Sequence, residues 1–431
     1  WLSGIQTLKR FAQYNQDEET KNKIKSYISR LEPVDDYEKL LNIRVVNAPY
    51  ESEKQEDGTY RDLAFEKMQD FARKLTKSDH DISQFFDQLL VGSPRFGAQF
   101  GEEVSKIKNK IKTVKIFKNG LLEYKNFDSN NRNSSFLAGL LKGLNSTERR
   151  SLIDFTIDQE LYKDAIYFIG VIDTKKSDIE KLFELCRNKK ISVTDFSRFY
   201  YNRLLDNFDI DDFLWMGKLI GDIDKRGYAI ILGIIHNHYF NQKNIFVEHK
   251  DIFKKWLLST NHLSLDRNIS TPDFYHWSEI TCAILKSNQE NKFARGIAKQ
   301  IISYLKNSLY GLDSYVTNVF SLLIEDYFNT VWPIIGEALL DKEMSFKTML
   351  AIRAKMSMRE LNEGILFSNI ENKEKEKIID WCKVNGEVAQ CKIAYIMPCF
   401  VETDNENLQY DWHPFAFSMI NEFGNNESFM R

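Results

Sequence analysis

Helical periodicity, repeated along nearly the whole chain, is the feature that most restricts its fold. The 431 residues include only 7 prolines and 19 glycines, the two residue types that long helices exclude from their interiors. Between Ala294 and Leu305, apolar residues recur at the i, i+3, i+4 and i+7 positions of one helix face. The sequence therefore predicts an all-α protein that is long enough to bury a large core.

Prolines mark the predicted joints between helices. Pro272, Pro333 and Pro414 each stand where a helix is expected to begin, a position at which the missing N–H costs nothing. The connectors are short, and no repeat of fixed length is found that would support a tetratricopeptide or ankyrin consensus. We therefore expect an irregular α-solenoid of antiparallel helix pairs, of the HEAT-like or TPR-like kind.

Five residues at the later joints are assigned structural roles: Trp332, Pro333, Trp412, Pro414 and Gly424. For Trp412 and Pro414 the pattern predicts a hydrophobic staple and a preset first helical turn. Gly424 is placed to end that helix. The following letters, "NNESFMR", resemble the start of one more helix, so we expect the chain to be a piece of a longer array.

One stretch departs from the helical pattern. "VKIFKNGLLEYKNF", which begins at Val114, has β-branched and aromatic residues on both sides of Asn119-Gly120, a strong signal for a hairpin. We expect one small β-hairpin near 114–125, with a helix broken at Asn119-Gly120 as the alternative. The predicted division is an N-terminal helical segment (1–112), a hairpin or loop excursion (113–134) and a main helical array (135–431).

Composition excludes several functional classes. The formal net charge of −3 provides no general basic field, so contact with nucleic acid or an anionic membrane surface is not expected. Five scattered cysteines argue against a disulfide framework and predict a cytoplasmic location. The longest apolar run, which begins at Gly227, is too short to cross a bilayer.

Short catalytic motifs are missing from the sequence. It contains neither the glycine-rich Walker loop nor the GxGxxG fingerprint, so we assign no catalytic residue and no ATP or NAD site to this chain. His236 and His238 form an H-x-H pair that Cys282 would have to join to hold a metal ion. Because no CxxC or HExxH partner is present, we assign no metal, and a metal-dependent enzyme fragment remains an alternative.

Three segments near the C-terminus occur in a fixed order: "VWPIIGEALL" (331–340), "GILFSNIENKEKEKIIDWCKVNGEVAQCKIAYIMPCF" (364–400) and "WHPFAFSMINEFGNNESFM" (412–430). Together they resemble the C-terminal helical region of prokaryotic antiviral STAND ATPases and related sirtuin- or nuclease-linked defence proteins. "FGAQFGEEV" (96–104) is similar to a further element of such arrays. The shared positions are aromatic anchors and carry no catalytic group.

The resemblance implies a division of labour. A nuclease, protease or NAD-consuming sirtuin effector and a nucleotide-binding core, with its ATP and Mg²⁺, would lie upstream of this chain. The C-terminal solenoid would sense a phage protein, typically terminase or portal, and trigger self-oligomerisation of the full-length protein. Only this sensor role transfers to the chain, because it carries neither effector nor nucleotide motif.

A solenoid presents an extended concave surface that suits a large protein partner. The aromatic residues expected to contact that partner are Tyr200, Tyr201, Tyr239 and Phe240, since aromatic side chains dominate binding energy at interfaces. The alternative for each of the four is that it is an ordinary core residue. A HEAT-like adaptor that binds a cellular protein is the second functional hypothesis.

Overall fold

The fold is all-α, as the sequence predicts. A computed structural model of the protein describes residues 2–14, 17–31, 36–78, 80–200, 205, 207–259, 263, 271–287, 290–307, 312–342, 346, 348–349, 372–397, 399–404 and 409–425. The chain divides into two compact units, Trp1–Asn207 and Phe208–Arg431. Two short antiparallel strand pairs, one in each unit, accompany the described helices.

The first unit begins with paired helices and continues as a series of helices joined by short loops. Its described helices are α1 (Leu2–Tyr14), α2 (Glu18–Leu31), α3 (Tyr37–Leu41), α4 (Leu63–Lys77), α5 (Phe86–Leu89), α6 (Gly97–Ile107), α7 (Lys110–Tyr124), α8 (Ser135–Lys142), α9 (Ser146–Asp158), α10 (Tyr162–Ile169) and α11 (Lys176–Arg187). A π-helical turn (Asn42–Val46) and two 3₁₀ turns (Ile82–Phe85, Val193–Phe199) join them. β1 (Ser52–Lys54) pairs with β2 (Tyr60–Asp62), with Glu53 opposite Arg61.

The second unit contains longer helices. Its described helices are α12 (Ile210–Ile223), α13 (Gly227–His238), α14 (Asn244–Glu248), α15 (Lys250–Ser259), α16 (Thr271–Ser287), α17 (Asn291–Asn307), α18 (Ser314–Leu340), α19 (Asn372–Ile396) and α20 (Pro414–Phe423). β3 (Phe400–Asp404) pairs antiparallel with β4 (Gln409–Trp412), with Val401 opposite Asp411.

Within each unit, helices pack mainly against helices one to three places away along the chain. In the first unit α4 contacts α6, α6 contacts α8, and α9 contacts α7 and α10. In the second unit α13 contacts α16, α16 contacts α18, α18 contacts α19, and α19 contacts α20. Such short-range packing along the chain fits an α-solenoid.

Phenylalanines fill the layers between successive helices. The ring of Phe100 on α6 lies 5.9 Å from the ring of Phe71 on α4 and 6.0 Å from the ring of Phe136 on α8. Phe100 and Phe136 are fully buried. Aromatic pairs at these distances add stabilisation beyond the apolar area that they bury, so the high phenylalanine content is used for helix-to-helix packing.

The hairpin predicted near 114–125 is wrong, because these residues belong to α7. Gly120 is buried in this helix, where an added Cβ would lie 3.0 Å from Leu137 Cδ2 and 3.3 Å from Phe86 Cζ. The glycine therefore allows close packing and does not form a turn. The domain boundary predicted at residue 112 falls inside the same helix.

Pro414 begins a helix, as the sequence predicts. Pro414 is the first residue of α20, and the His413 side chain caps that helix by accepting a hydrogen bond from the Phe415 N–H at 3.2 Å. Gly424 is the C-cap, as predicted, and the helix expected after it lies outside the described residues. Trp412 is about half exposed.

The prediction that Pro333 begins a helix is wrong, because Pro333 lies inside α18. The backbone leaves helical geometry earlier, at Tyr327 (φ −129°, ψ 22°). Trp332 is buried, stacks on Phe328 at 5.4 Å and meets Trp381 of α19 edge-on at 5.4 Å. The apolar face thus continues through the proline, and its burial outweighs the cost of the missing hydrogen bond.

A close helix contact in the first unit joins α6 and α8 through two glycines. A Cβ added to Gly139 would overlap the backbone carbonyl of Ala98, and one added to Gly101 would overlap the carbonyl of Phe136. Backbone atoms cannot move aside as a flexible side chain can. The spacing of the two helices therefore depends on the absence of side chains at these two positions.

We predict that Gly139→Ala destabilises the protein by about 2–4 kcal/mol, because the methyl group forces α6 and α8 apart. Gly4→Ala is the matched control, since no atom lies within 4 Å of its added Cβ; it should raise stability by up to about 1 kcal/mol through helix propensity. Urea unfolding of both variants measures the difference. Equal stability of Gly139→Ala and the wild type would contradict the close contact.

Candidate functional site

The candidate site lies where α13 ends. His236, Tyr239 and Phe240 come from this end of α13, and Tyr275 and His276 come from α16, which packs against it. We call these five residues the α13 cluster. The cluster runs from the core to the surface, because the exposed fraction is 1% for His236, 4% for His276 and 48% for Phe240.

The sequence of α13 places His236 in the core. Its apolar run is buried against neighbouring helices on several sides, and His236 continues that buried run near the last turn. A buried polar ring needs a hydrogen-bonding partner, and α16 supplies one. The Nδ1 atoms of His236 and His276 lie 3.0 Å apart, so one ring donates its Nδ1–H to the lone pair of the other.

Aromatic rings surround His236. Phe240 meets it edge-on at 5.7 Å, Tyr275 meets it edge-on at 5.3 Å, and Phe246 of α14 stacks on it at 6.0 Å. The exposed Phe240 is thereby held against a buried and hydrogen-bonded ring.

Burial keeps both histidines neutral. Burial, together with a smaller effect of the nearby His236, lowers the pKa of His276 to about 4. Burial also lowers the pKa of His236, although the Glu279 carboxylate partly opposes that shift. Lys243 forms a salt bridge with Glu279 at 2.6 Å beside the cluster. Desolvation disfavours the charged imidazolium, so the pair is uncharged at neutral pH.

The structure gives no support to the metal-dependent alternative built on His236, His238 and Cys282. His236 pairs with His276, whereas the ring of His238 packs against Phe213 at 4.9 Å. In the described part of the chain, no three His, Cys, Asp or Glu side chains are grouped to hold a metal ion. Burial raises the pKa of the Cys282 thiol, which favours the protonated form that binds metals poorly.

The four aromatic residues predicted to contact a partner lie in different environments. Tyr200 is only 6% exposed and follows a 3₁₀ turn in the core of the first unit. It is therefore a core residue, which was the alternative to partner contact. Tyr201 lies outside the described residues. Tyr239 is half-buried, and Phe240 alone of the described three presents a large exposed surface.

Sequence reasoning missed His276, the residue that organises the cluster. The candidates considered beside His236 were His238 and Cys282, whereas the ring that meets His236 is that of His276 on α16. The available signal was a second histidine within an otherwise helical aromatic segment, "FYHW". Only the packing of α13 against α16 reveals that the two rings meet.

Comparisons with known proteins do not identify the chain. No family model, curated protein or solved structure matches it. Among the described residues, no helix combines the length and the apolar character that a bilayer crossing requires.

We predict that stability falls as the pH is lowered from about 6.5 to about 4. In the unfolded chain His276 binds a proton near its ordinary pKa of 6.5, whereas in the folded chain it does so only near 4. The unfolded state therefore binds more protons in this window, and the loss for His276 amounts to about 3 kcal/mol. Chemical unfolding at several pH values measures it.

Other groups also titrate in that window, so the test compares variants. His276→Gln keeps a hydrogen-bonding side chain and removes the ionisable group, and its stability should depend less steeply on pH. The exposed His80 provides the control; His80→Gln should follow the wild-type profile. A His276→Gln profile parallel to that of the wild type would contradict the buried pair.

Proposed function

We propose that the chain is a protein-recognition module, the sensor solenoid of a prokaryotic antiviral defence protein. In this proposal it binds a phage protein and controls an effector carried elsewhere in the full-length protein. The observation that carries the recognition role is Phe240, an exposed aromatic ring held by the α13 cluster. Aromatic residues, phenylalanine among them, are enriched at the centres of protein interfaces.

Rigid presentation favours this role. Binding costs less entropy when a contact side chain is already held in place. Phe240 lies against His236, which is fixed by its hydrogen bond to His276 and by stacking on Phe246. Lys243 and Glu279 add a charged pair beside the ring. An aromatic ring with polar groups around it is the usual composition of an interface centre and its rim.

The antiviral context rests on the sequence resemblance of segments 331–340, 364–400 and 412–430. From it we infer a phage terminase or portal as the partner, a cytoplasmic location and self-oligomerisation of the full-length protein. ATP and Mg²⁺ would act in an upstream nucleotide-binding domain, beside a nuclease, protease or NAD-consuming effector. Helices that pack on their sequence neighbours support an extended recognition surface in each unit.

The experiment is a capture assay with the immobilised chain and lysates of phage-infected and uninfected bacteria. We predict that a phage protein is enriched from the infected lysate and that Phe240→Ala weakens its binding by about tenfold or more, which corresponds to the loss of an anchor residue. Because Phe240 is half exposed, the variant should retain its stability to within about 1 kcal/mol.

Phe417→Ala is the matched control, since Phe417 is a comparably exposed phenylalanine on α20. It should bind the captured protein as the wild type does. A cellular protein captured equally from both lysates would replace the sensor with a HEAT-like adaptor. Capture of nothing, or capture unchanged by Phe240→Ala, would contradict the role given to the cluster.

A further inference from the structure

A polar groove opens in the first unit, near the start of α10. Its volume is about 680 Å³, within the range of pockets that hold small ligands or short peptide segments. It is lined by the loop that follows α7, the start of α8, the start of α10 and residues beyond α11. We call it the α10 groove.

Positive side chains outnumber acidic ones in the lining. Arg132, Lys163, Lys190 and Arg198 all border the groove. Throughout the part of the chain that the structure describes, none of the four forms a salt bridge with a carboxylate. In a chain whose net charge is −3, this is a local excess of positive charge without a carboxylate partner.

Neutral groups contact three of the four cations, among them Arg198, which donates a hydrogen bond to the backbone carbonyl of Lys163 at 3.4 Å. Arg132 donates hydrogen bonds to the backbone carbonyls of Phe127 (2.8 Å) and Lys125 (2.7 Å). The Lys190 ammonium lies 5.6 Å from the centre of the Tyr162 ring, a cation–π distance. Contacts of this kind position a positive group without neutralising it.

The acidic groups of the groove do not balance this charge. Glu160 and Asp164 are its two acidic lining residues. Asp164 already accepts a hydrogen bond from the Tyr124 hydroxyl at 2.7 Å. Four cations therefore face two carboxylates, one of which is engaged, and the groove favours an anionic ligand.

The backbone reinforces the preference for an anion. The N-terminal end of α10 borders the groove, and Leu161, its N-cap, provides no side-chain acceptor. The N–H groups and the positive end of the helix dipole at this position favour negative charge. The backbone N–H groups at the start of α10 and the positive side chains of the groove therefore both favour an anionic ligand.

Two strained residues fix the rim of the groove. Glu160 (φ 61°) and Lys189 (φ 57°) adopt the left-handed conformation after α9 and α11. The residues that follow them, Leu161 and Lys190, donate hydrogen bonds back into the last turn of each helix at 3.2 and 2.9 Å. This C-terminal motif usually has glycine at the left-handed position. In this protein it determines the direction in which the chain leaves α9 and α11 and enters two segments that line the groove.

We propose that the α10 groove binds an acidic segment of the protein partner, whose carboxylates pair with Lys163, Lys190 and Arg198. This inference rests on the proposed recognition function and specifies the chemistry of the partner. A peptide segment fits better than a nucleic acid, because only four cations border the groove. A long polyanion needs a continuous basic track, and the chain as a whole is acidic.

The first experiment measures binding of a fluorescein-labelled peptide of alternating glutamate and glycine by fluorescence anisotropy. The groove variant is Lys163→Ala/Lys190→Ala/Arg198→Ala, and the charge-matched control is Lys112→Ala/Lys115→Ala/Lys299→Ala, built on exposed lysines of α7 and α17. We expect the groove variant to bind about tenfold more weakly or worse, and the control to bind as the wild type does. Thermal unfolding of both variants verifies that they fold.

Three results would overturn the inference: no binding of the peptide to the wild type, equal binding to the wild type and the groove variant, or tighter binding of a labelled oligothymidylate than of the peptide. Its failure is separable from that of the proposed function. If the wild type and the groove variant capture a partner from lysate equally, the groove is not the site but recognition stands. If the wild type captures no protein, the recognition function fails.

Discussion

The burial of one apolar face of each helix against its neighbours along the chain is the interaction on which the rest of the structure depends. Phe100, between Phe71 and Phe136, shows how this burial connects α4, α6 and α8, and glycines let α6 and α8 approach to backbone contact. The side chains on these buried faces pack against other helices and are not available to bind a partner. Both candidate binding regions therefore lie at helix ends, where α13 stops and where α10 starts.

The α13 cluster connects the core to the surface. An unpaired buried imidazole would cost free energy, and the contact between His236 and His276 offsets that cost while it fixes both rings. The exposed Phe240 lies directly on the fixed ring of His236. The α10 groove differs in kind, because Arg132 is held by carbonyl groups and Lys190 by a tyrosine ring, so that their charge remains available to a ligand. One region offers an aromatic anchor, and the other offers charge.

The sequence was sufficient to predict the helical fold class, because periodicity and the shortage of proline and glycine act along the whole chain. Single-residue signals were less dependable. Asn119-Gly120 suggested a turn, but Gly120 serves close packing against Leu137, and Pro333 lies within a helix whose buried face continues past it. His276 and the cations of the α10 groove come together only through tertiary packing, so no local pattern could have revealed them.

Hydrogen–deuterium exchange of the chain, alone and in complex with the protein that it captures, tests the recognition account most directly. Amides in the first turn of α10 lack a side-chain cap from Leu161, and amides so placed exchange readily until a ligand covers them. The account predicts that exchange slows in the complex at the start of α10 and at the end of α13. Protection confined to other helices, with these two regions unchanged, would contradict it.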